Sequence, residues 1–333
     1  MTDESDAKPA AQVELDAQVK PGAQVKPGAQ VKPAAKHKKS NALLNVMIAI
    51  SAIAMIGALG LIAYPTFSDW WNRMHQSYAV AGYVEQTKDM SGAERKAMLK
   101  AAHEYNERLA ANGDRWHMTD AQKREYDETL DVTGTGIMGY VTIPRIKVKL
   151  PVYHGTSDGV LQIAAGHLAG TSLPVGGATT HAVVSGHTGL PSARLLTGLD
   201  ELQKGDTFAF HVLDETYTYQ VDQISVVLPS EISKLNIESG ADYATLITCT
   251  PYGVNSHRLL VRGHRIPNPK VPDKTQYDEP GEMTAVAAAV IGLLVFVAGC
   301  AFVGLARLWR RSWIVRHGLC AGAGARHSSG VRG

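Results

Sequence analysis

The sequence predicts a mainly β domain that follows a helical region and lies between two transmembrane helices. Alternation carries the β prediction, because Phe208, Phe210 and Val212 are separated by single residues, as on one face of a strand. Many such short strands, with Gly and Pro in the turns, are typical of a closed or sandwich-like β domain. Two apolar runs, residues 42–64 and 283–305, carry the membrane prediction, because each has 23 residues and about 20 suffice to cross a bilayer.

Basic residues predict the orientation of the two spans. They lie on the terminal side of each span, at Lys36, Lys38 and Lys39 before the first and at Arg307, Arg310, Arg311 and Arg316 after the second. The positive-inside rule then places both termini in the cytoplasm and the middle of the chain outside the cell. We therefore expect a multi-pass protein of the cell membrane with an extracellular central domain. The net charge of +2 gives no overall basic surface, so nucleic acid is not an expected partner.

These patterns divide the chain into seven segments. In order, they are a disordered cytoplasmic tail (1–41), a transmembrane helix (42–64), a helical N-terminal region (65–137), the β domain (138–267), a polar linker (268–282), a second transmembrane helix (283–305) and a basic cytoplasmic tail (306–333). Pro and Gly recur every few residues in the first segment, which prevents a packed core. In the helical region, Ser91 and Glu94 have the spacing of a capping box and predict the start of a helix.

Two local signals refine the strands of the β domain. Asp214 and Glu215 predict the turn that follows Val212. Ile224 and Val226 continue the next strand in a shifted phase, which predicts a β-bulge.

Cysteine usage singles out one residue. Cys300 lies in the second predicted span and Cys320 in the C-terminal tail, so Cys249 is the one cysteine of the external domain. An unpaired thiol in an oxidising compartment is a candidate reactive group. The alternative is a small buried apolar side chain.

Thiol chemistry needs two further groups, and the β domain offers one residue for each. A histidine can stabilise the thiolate and then protonate a leaving amine, and His187 follows a short apolar strand and a glycine. Acyl transfer also needs a donor for the oxyanion. Arg258 lies nine residues after Cys249, and a hairpin through residues 251–253 would return it beside the thiol. The alternatives are a structural histidine and a solvated strand arginine.

The remaining histidines do not point to a metal. They include His154, His167, His181, His211 and His264, and none of them has the spacing of metal ligands. We therefore expect no metal and no organic cofactor.

Four segments of the β domain resemble a known family. Residues 245–249 read Thr-Leu-Ile-Thr-Cys, which matches the sortase pattern Thr-Leu-x-Thr-Cys. Residues 248–263, 185–187 and 139–144 resemble the class C sortases, which assemble pilins. The resemblance extends over residues 138–267, and the layout with two membrane spans also fits class C.

The resemblance implies an eight-stranded β-barrel enzyme, a cysteine transpeptidase on the outside of a Gram-positive cell. Such an enzyme cleaves an LPXTG-like sorting signal between Thr and Gly. Cys249 would hold the cleaved protein as a thioester, with His187 as its proton partner and Arg258 at the substrate or oxyanion. A lysine amine of a pilin subunit would then resolve the thioester and form an isopeptide bond.

Class C sortases also resemble one another in a lid that carries Asp-Pro-Trp or Asp-Pro-Phe. Asp114 and Trp116 match the outer positions of that motif, whereas Arg115 replaces its proline. Proline would stiffen the segment by fixing φ, and arginine does not. We therefore expect Asp114 and Trp116 to form a candidate lid over Cys249, with an ordinary loop between helices as the alternative.

Three alternatives to pilin assembly stay open. A housekeeping sortase would share the three residues but attach surface proteins to a cell-wall precursor. A hydrolytic cysteine protease would let water resolve the thioester. A non-enzymatic surface protein, itself a sortase substrate, would need an LPXTG-like signal before residue 283, where residues 277–282 read Tyr-Asp-Glu-Pro-Gly-Glu.

Overall fold

The computed structural model describes residues 42–270, 277, 288–289, 291–304 and 306–307. The chain divides into two units, residues 1–44 and 45–333, and the barrel described below belongs to the second. The predicted N-terminal tail lies outside the described residues, as do most of the predicted linker and most of the predicted C-terminal tail.

Eight strands form one closed β-barrel. They are β1 (Ile137–Ile143), β2 (Val148–His154), β3 (Ala165–His167), β4 (Thr180–Ser185), β5 (Thr207–Val212), β6 (Glu215–Val227), β7 (Asp242–Thr250) and β8 (His257–Arg265). Around the barrel their order is β1-β2-β3-β4-β7-β8-β6-β5. Two neighbouring pairs are parallel, β2 with β3 and β4 with β7. The eight-stranded barrel that the resemblance implies is confirmed.

Among the described residues, three α-helices precede the barrel, one lies between β2 and β3, and one follows the barrel. They are α1 (Ala42–Asp89), α2 (Gly92–Ala111), α3 (Asp120–Glu128), the single turn α4 (Asp158–Leu161) and α5 (Ile291–Gly304). Of the described residues, only α1 forms a helix that is long and apolar enough to cross a membrane. The helix α5 is apolar but too short on its own, and both ends of the second predicted span lie outside the described residues.

The helix α1 does not end where the predicted span ends. It continues past residue 64 to Asp89 as one helix of 48 residues. The buried Tyr83 fastens its second half to the barrel, because its hydroxyl donates to Met138 O at 3.1 Å and accepts from Leu213 N at 2.7 Å. The apolar first half of α1 is exposed, which is the arrangement of a segment that faces lipid.

Two side-chain amides hold α1 to the barrel closer to its apolar half. Asn72 Nδ2 donates to Ser192 O, and Gln76 Nε2 donates to Ile163 O, each at 2.7 Å. The barrel is therefore attached along a continuous helix and not through a flexible tether.

Apolar side chains fill the barrel interior. Phe208, Phe210 and Val212 all lie in the buried core, so the predicted alternation along β5 is confirmed. The Phe208 ring stacks on Tyr219 of β6, with 5.7 Å between the ring centroids. Because the interior is packed, chemistry has to take place on the outside of the barrel wall.

The predicted helix start and the predicted bulge are both confirmed. The Ser91 hydroxyl accepts from Glu94 N at 3.2 Å, and the Glu94 carboxylate accepts from Ser91 N at 2.8 Å, which completes the capping box. The register of β6 against β8 shifts between Val221 and Gln223, as a bulge requires.

The turn between β5 and β6 falls one residue earlier than predicted. Val212 pairs directly with Glu215, so Leu213 and Asp214 form the turn. Glu215 belongs to the strand because the ladder continues to it, and the positive φ of Leu213 (55°) is typical of the tight turns that join hairpin strands.

Candidate active site

Strand β7 carries Cys249 to the end of an otherwise buried run. Its side chains alternate, with Ala244 and Leu246 in the barrel core and Ile247 in a cluster on the outer side. Cys249 lies two residues beyond Ile247, so its side chain also points outward. The residue is half-buried, which leaves a thiol on a rigid strand that solvent can reach.

Arg258 lies directly opposite Cys249 across the β7–β8 hairpin. The register pairs Cys249 with Arg258 and Thr250 with His257. Opposed side chains of an antiparallel pair project to the same face. The Arg258 Nη1 donates to the carbonyl oxygens of Asn255 at 3.2 Å and His257 at 3.1 Å. These bonds hold the guanidinium at the hairpin end of β8, where the spacing in the sequence predicts it.

His187 follows the strand on the other side of β7. Strand β4 runs parallel to β7, and the last pair of their ladder is Ser185 with Ile247. Two hydrogen bonds extend the alignment, because Gly186 N donates to Ile247 O at 3.0 Å and the Thr248 hydroxyl donates to Gly186 O at 2.8 Å. These bonds bring Gly186, the residue before His187, to the end of β7 that carries Cys249.

Close packing fixes the start of the His187 loop. A Cβ on Gly186 would lie 2.8 Å from Leu196 Cγ, so a side chain at this position would displace Leu196. The Leu196 N–H in turn donates to His187 O at 3.1 Å. The backbone before the imidazole is thus held on both sides.

A small apolar surface lies next to Cys249 and Arg258 on the outside of the barrel. This outer cluster consists of the buried residues Val183, Leu235, Ile247 and Leu260, with Trp116, Leu168 and Val227 packed against them. Ile247 and Leu260 are paired across β7 and β8, two residues before Cys249 and two after Arg258. Cys249 and Arg258 therefore stand at the edge of an apolar surface.

The loop between α2 and α3 covers part of the outer cluster. Trp116 packs against the cluster, and a Cβ on Gly170 would lie 3.1 Å from its ring. Asp114 is exposed, and its carboxylate lies 2.8 Å from His117 Nδ1 within the same loop. Of the two candidate lid residues, Trp116 lies on the apolar surface, and the described contact of the Asp114 carboxylate is with its own loop.

Arg115 fastens this loop to the barrel. The residue is only 8% exposed, and its guanidinium donates to Gly170 O at 3.2 Å, Leu235 O at 3.0 Å and Asn236 Oδ1 at 3.2 Å. Burial lowers the pKa of Arg115, although a guanidinium stays charged at neutral pH. The sequence predicts only a loss of stiffness from arginine in place of proline. The structure adds three hydrogen bonds that bind the segment in place.

His181 lies buried beside the outer cluster. Its Nδ1 donates to Asn236 O at 2.8 Å, and its Nε2 accepts from the Thr245 hydroxyl at 2.7 Å. Burial lowers the pKa of His181 to about 4, so the ring is neutral at pH 7. Among the described residues, no three His, Cys, Asp or Glu side chains cluster as metal ligands would.

Known proteins share this barrel and this arrangement of strands. Residues 141–266 match the Sortase domain. A crystal structure of sortase C1 from Streptococcus agalactiae superposes with a TM-score of 0.57 and 51% identity, over 58% of this chain and 100% of that chain. The chain belongs to the sortase family.

Further sortases support the class C resemblance. Sortase C from Streptococcus pneumoniae is 45% identical, with a TM-score of 0.52 over 57% of this chain and 97% of that chain. Sortase C from Clostridium perfringens, solved with a C-terminal cell wall sorting motif, is 40% identical, with a TM-score of 0.51 over 58% of this chain and 100% of that chain. Sortase A from Streptococcus agalactiae is 29% identical over 117 residues, so the match spans about half of that relative (47%) and 34% of this chain.

Sequence reasoning on this sortase missed three groups that support the site. Thr248 was visible only as a letter of the Thr-Leu-x-Thr-Cys pattern, yet its hydroxyl bonds Gly186 O, 62 residues away. The sequence indicates Gly186 only as the residue before His187, and Arg115 only as a replacement of proline. In each case the role of the residue depends on a contact with a distant part of the chain, which the local spacing of residues does not predict.

Proposed function

We propose that the chain is a membrane-anchored transpeptidase with Cys249 as nucleophile, His187 as general acid and base, and Arg258 as the group that stabilises the oxyanion. The thiolate of Cys249 attacks the Thr carbonyl of a sorting signal. The Thr–Gly bond breaks, the protonated His187 gives its proton to the leaving amine, and a thioester remains on Cys249. An acceptor amine then attacks the thioester, loses a proton to His187 and releases the thiolate.

One observation carries this proposal. The ladder pairs Cys249 with Arg258, and the bonds of Gly186 to β7 bring the His187 loop to the same end of the strand. A nucleophile, a proton carrier and a cation are thus presented by three neighbouring strands. Preorganised donors of this kind supply much of the rate enhancement in acyl transfer.

The outer cluster is suited to the peptide that such an enzyme would cleave. An extended peptide with apolar residues before its scissile bond could lie on Ile247 and Leu260 and present its carbonyl to Cys249. The neighbouring Clostridium perfringens sortase C was solved with a cell wall sorting motif, and the Streptococcus pneumoniae sortase C was described for its pilin substrate specificity. We propose the same substrate class here, an LPXTG-like signal on pilin or surface proteins.

The acceptor that we propose is a lysine amine of a pilin subunit. The solved relatives that support this acceptor are all named sortase C or sortase C1. The second candidate function is wall attachment, in which the amine of a cell-wall precursor resolves the thioester. It is favoured by the match to Sortase A, although that match is weaker, at 29% identity.

We also propose that α1 anchors the enzyme with its barrel outside the cell and both termini inside. The exposed apolar half of α1 supports the anchor, and the basic residues near both ends of the chain support the orientation. Protease treatment of intact cells should remove the barrel and spare a tag placed before Lys36. Loss of that tag from unbroken cells would contradict the orientation.

Trp116 and Asp114 form the proposed lid over this site. Trp116 covers part of the surface on which the substrate would lie, and Asp114 belongs to the same loop. The lid has to leave the outer cluster before a peptide can bind there.

A peptide reaction followed by mass spectrometry tests the proposed function. The full chain in nanodiscs is incubated with an LPXTG peptide, with and without a lysine-bearing pilin domain or a wall-peptide amine. We expect an adduct on Cys249 and a product joined to the pilin lysine. Cys249→Ala should abolish cleavage and adduct, whereas the matched change Cys300→Ala should preserve both. Cleavage by Cys249→Ala, or an adduct on another residue, would overturn the assignment of the nucleophile.

A further inference from the structure

A pocket lies where the loop that carries the proposed lid joins its two flanking helices, α2 and α3. Its polar lining comes from both helices and from the loop, at Tyr105, Arg108, Asn112, Arg115, Gln122 and Glu125. The pocket has a volume of about 140 Å³. One water molecule needs only roughly 15 Å³ of such space, so a small polar molecule fits here.

The hydroxyl of Tyr105 has no hydrogen-bond partner among the described residues. The residue is only 5% exposed. Burial raises the pKa of Tyr105, the negative charge of Glu125 raises it further, and the positive charge of Arg108 lowers it. The hydroxyl therefore lies close to these two residues, which line the pocket. Because buried polar groups nearly always have a partner, the unpaired hydroxyl points to one that the chain does not supply.

Arg115 brings a buried positive charge to the same pocket. Its guanidinium bonds only neutral oxygens, those of Gly170, Leu235 and Asn236. Burial is the one described cause of its lowered pKa, so no carboxylate of the described residues compensates its charge.

The other two charges of the pocket cancel. Arg108 and Glu125 form an ion pair with each other, so Arg115 leaves the lining with one positive charge in excess. Buried charges in proteins are usually paired. An anion in the pocket would supply the counter-charge of Arg115.

The two amides of the lining offer donors and not acceptors. The side-chain oxygen of Gln122 already accepts from Thr119 N at 2.8 Å, and that of Asn112 accepts from Asp114 N at 3.1 Å. Within the described part of the chain, the amide nitrogens of these two side chains have no partner. A ligand that only accepts hydrogen bonds suits such a lining, as the oxygens of a carboxylate or a phosphate do.

We propose that this pocket binds a small oxyanion, a carboxylate or a phosphate, with the Tyr105 hydroxyl as donor and Arg115 as counter-charge. The inference rests on the lid proposed above. Arg115 both lines the pocket and fastens the loop to the barrel, so the closed loop completes the site and an opened loop removes Arg115 from it. A ligand that binds the closed loop more tightly shifts the population towards it. The oxyanion would therefore keep the outer cluster covered.

Thermal unfolding of the full chain in nanodiscs tests the site. Sodium acetate and sodium phosphate are each compared with sodium chloride at equal ionic strength. At least one of them should raise Tm in a saturable way, and the salt that does so identifies the class of anion.

Tyr105→Phe is the variant that decides whether the hydroxyl binds the anion. It keeps the ring, so without oxyanion it should be at least as stable as the wild type, because it removes an unpaired buried group. It should lose the shift in Tm that the oxyanion causes. Tyr78→Phe, at an exposed position on α1, is the matched control and should keep this shift.

Labelling of Cys249 by a bulky thiol reagent tests the link to the lid, with mass spectrometry following this cysteine alone. At about ten times the dissociation constant of the oxyanion, the labelling rate should fall about tenfold if the anion binds only the closed loop. The labelling rate of Tyr105→Phe should not respond to the oxyanion.

The other outcomes separate the possible failures. No shift in Tm beyond that of chloride, or a shift that Tyr105→Phe retains, would overturn the oxyanion site. Stabilisation that depends on Tyr105 but does not slow the labelling of Cys249 would overturn the control of the lid. Neither measurement uses a peptide substrate, so a failure of peptide cleavage would count against the proposed function alone.

Discussion

Cys249 and Arg258 are direct partners in the β7–β8 ladder, at the end of the hairpin where the strands meet the loop. The pairing is made by the backbone hydrogen bonds of the ladder. The distance between thiol and guanidinium can therefore adjust when a substrate enters, while both remain on one face of the sheet. The described hydrogen bonds of the Arg258 guanidinium, to Asn255 O and His257 O, both come from Nη1. The other nitrogens of this planar fork are therefore available for an oxyanion in the proposed mechanism.

Arg258→Lys should therefore lose most of the activity of the enzyme. Lysine keeps the positive charge but lacks the planar fork that can bond the loop carbonyls and the oxyanion together. Loss of one oxyanion donor costs about 2.7–4 kcal/mol, or roughly a hundred- to thousand-fold in kcat. Peptide cleavage under single-turnover conditions measures the change.

Arg262→Lys is the matched control for this change. Arg262 lies on the same strand, and its side chain pairs with Asp222, at 3.1 Å and 3.0 Å, instead of approaching the thiol. It should retain near-normal turnover per folded molecule. Near-normal turnover of Arg258→Lys itself would show that Arg258 does not act through its fork.

Arg115→Gln should open the loop that carries Asp114 and Trp116. Glutamine is neutral and shorter, so it cannot keep all three hydrogen bonds of the guanidinium. Hydrogen bonds to charged groups contribute about 1.5–3 kcal/mol each, and roughly 1.4 kcal/mol shifts an equilibrium tenfold. Labelling of Cys249 by a bulky thiol reagent should speed up at least about tenfold if one such bond is lost. Asp114→Ala combined with Trp116→Ala should have the same effect.

A small thiol reagent and Arg124→Gln are the controls for the loop. The small reagent should respond less than the bulky one, because it needs a smaller opening. Arg124 is exposed on α3, and its replacement should leave both rates unchanged. If both reagents respond identically to Arg115→Gln, the loop does not gate the thiol.

Tyr83→Phe should destabilise the attachment of α1 to the barrel. The change leaves the shape of the ring intact but deprives the buried Leu213 N–H of its acceptor at 2.7 Å. An unsatisfied buried group costs about 1–3 kcal/mol. Urea unfolding of the full chain should show this decrease in the free energy of unfolding. Tyr78→Phe, at an exposed position on the same helix, should leave the free energy of unfolding unchanged. Equal stability of the two variants would contradict the role of Tyr83.

Acid should weaken the fold through His181. Burial lowers its pKa from the ordinary 6.5 to about 4 in the folded state, while the nearby Arg262 and Arg115 act in the same direction. Between these two values the unfolded chain binds a proton that the folded chain does not, so stability is full above pH 6.5 and falls until pH 4. The loss from this one group amounts to about 3 kcal/mol, at roughly 1.36 kcal/mol per pH unit.

His181→Gln should flatten this part of the pH profile. The buried His167, whose pKa burial lowers to about 3, contributes a slope of the same sign and remains in the variant. His75→Gln, at an exposed position on α1, should leave the profile unchanged. Urea midpoints between pH 4 and pH 7.5 measure the difference, and parallel profiles for wild type and His181→Gln would contradict the assignment.

Features set by neighbours in sequence were predicted well. The capping box of Ser91 and Glu94 spans three residues, and the hairpin that pairs Cys249 with Arg258 spans nine. In both cases one local hydrogen-bond pattern determines the structure, so spacing alone suffices.

Features set by distant residues could not be predicted in this way. Arg115 is buried because Gly170 and Leu235 supply carbonyl oxygens, and these residues lie 55 and 120 positions further along the chain. The sequence predicts a helical region from residue 65 onward, but the continuity of α1 with the span escaped prediction for a related reason. Its polar second half becomes a stable helix only by packing on the barrel, through groups such as Tyr83.

The order of the strands around the barrel also determines when the proposed active site can form. Strands β4 and β7 are neighbours in the barrel, although β5 and β6 separate them in sequence. The bonds that align Gly186 with β7 form only after those intervening strands are in place, because this pairing is non-local. A chain in which β5 and β6 are not yet in place therefore lacks the alignment of the His187 loop with β7 that the proposed mechanism needs. Under the proposed mechanism, the activity of Cys249 therefore depends on completion of the whole barrel, and not on synthesis of the cysteine alone.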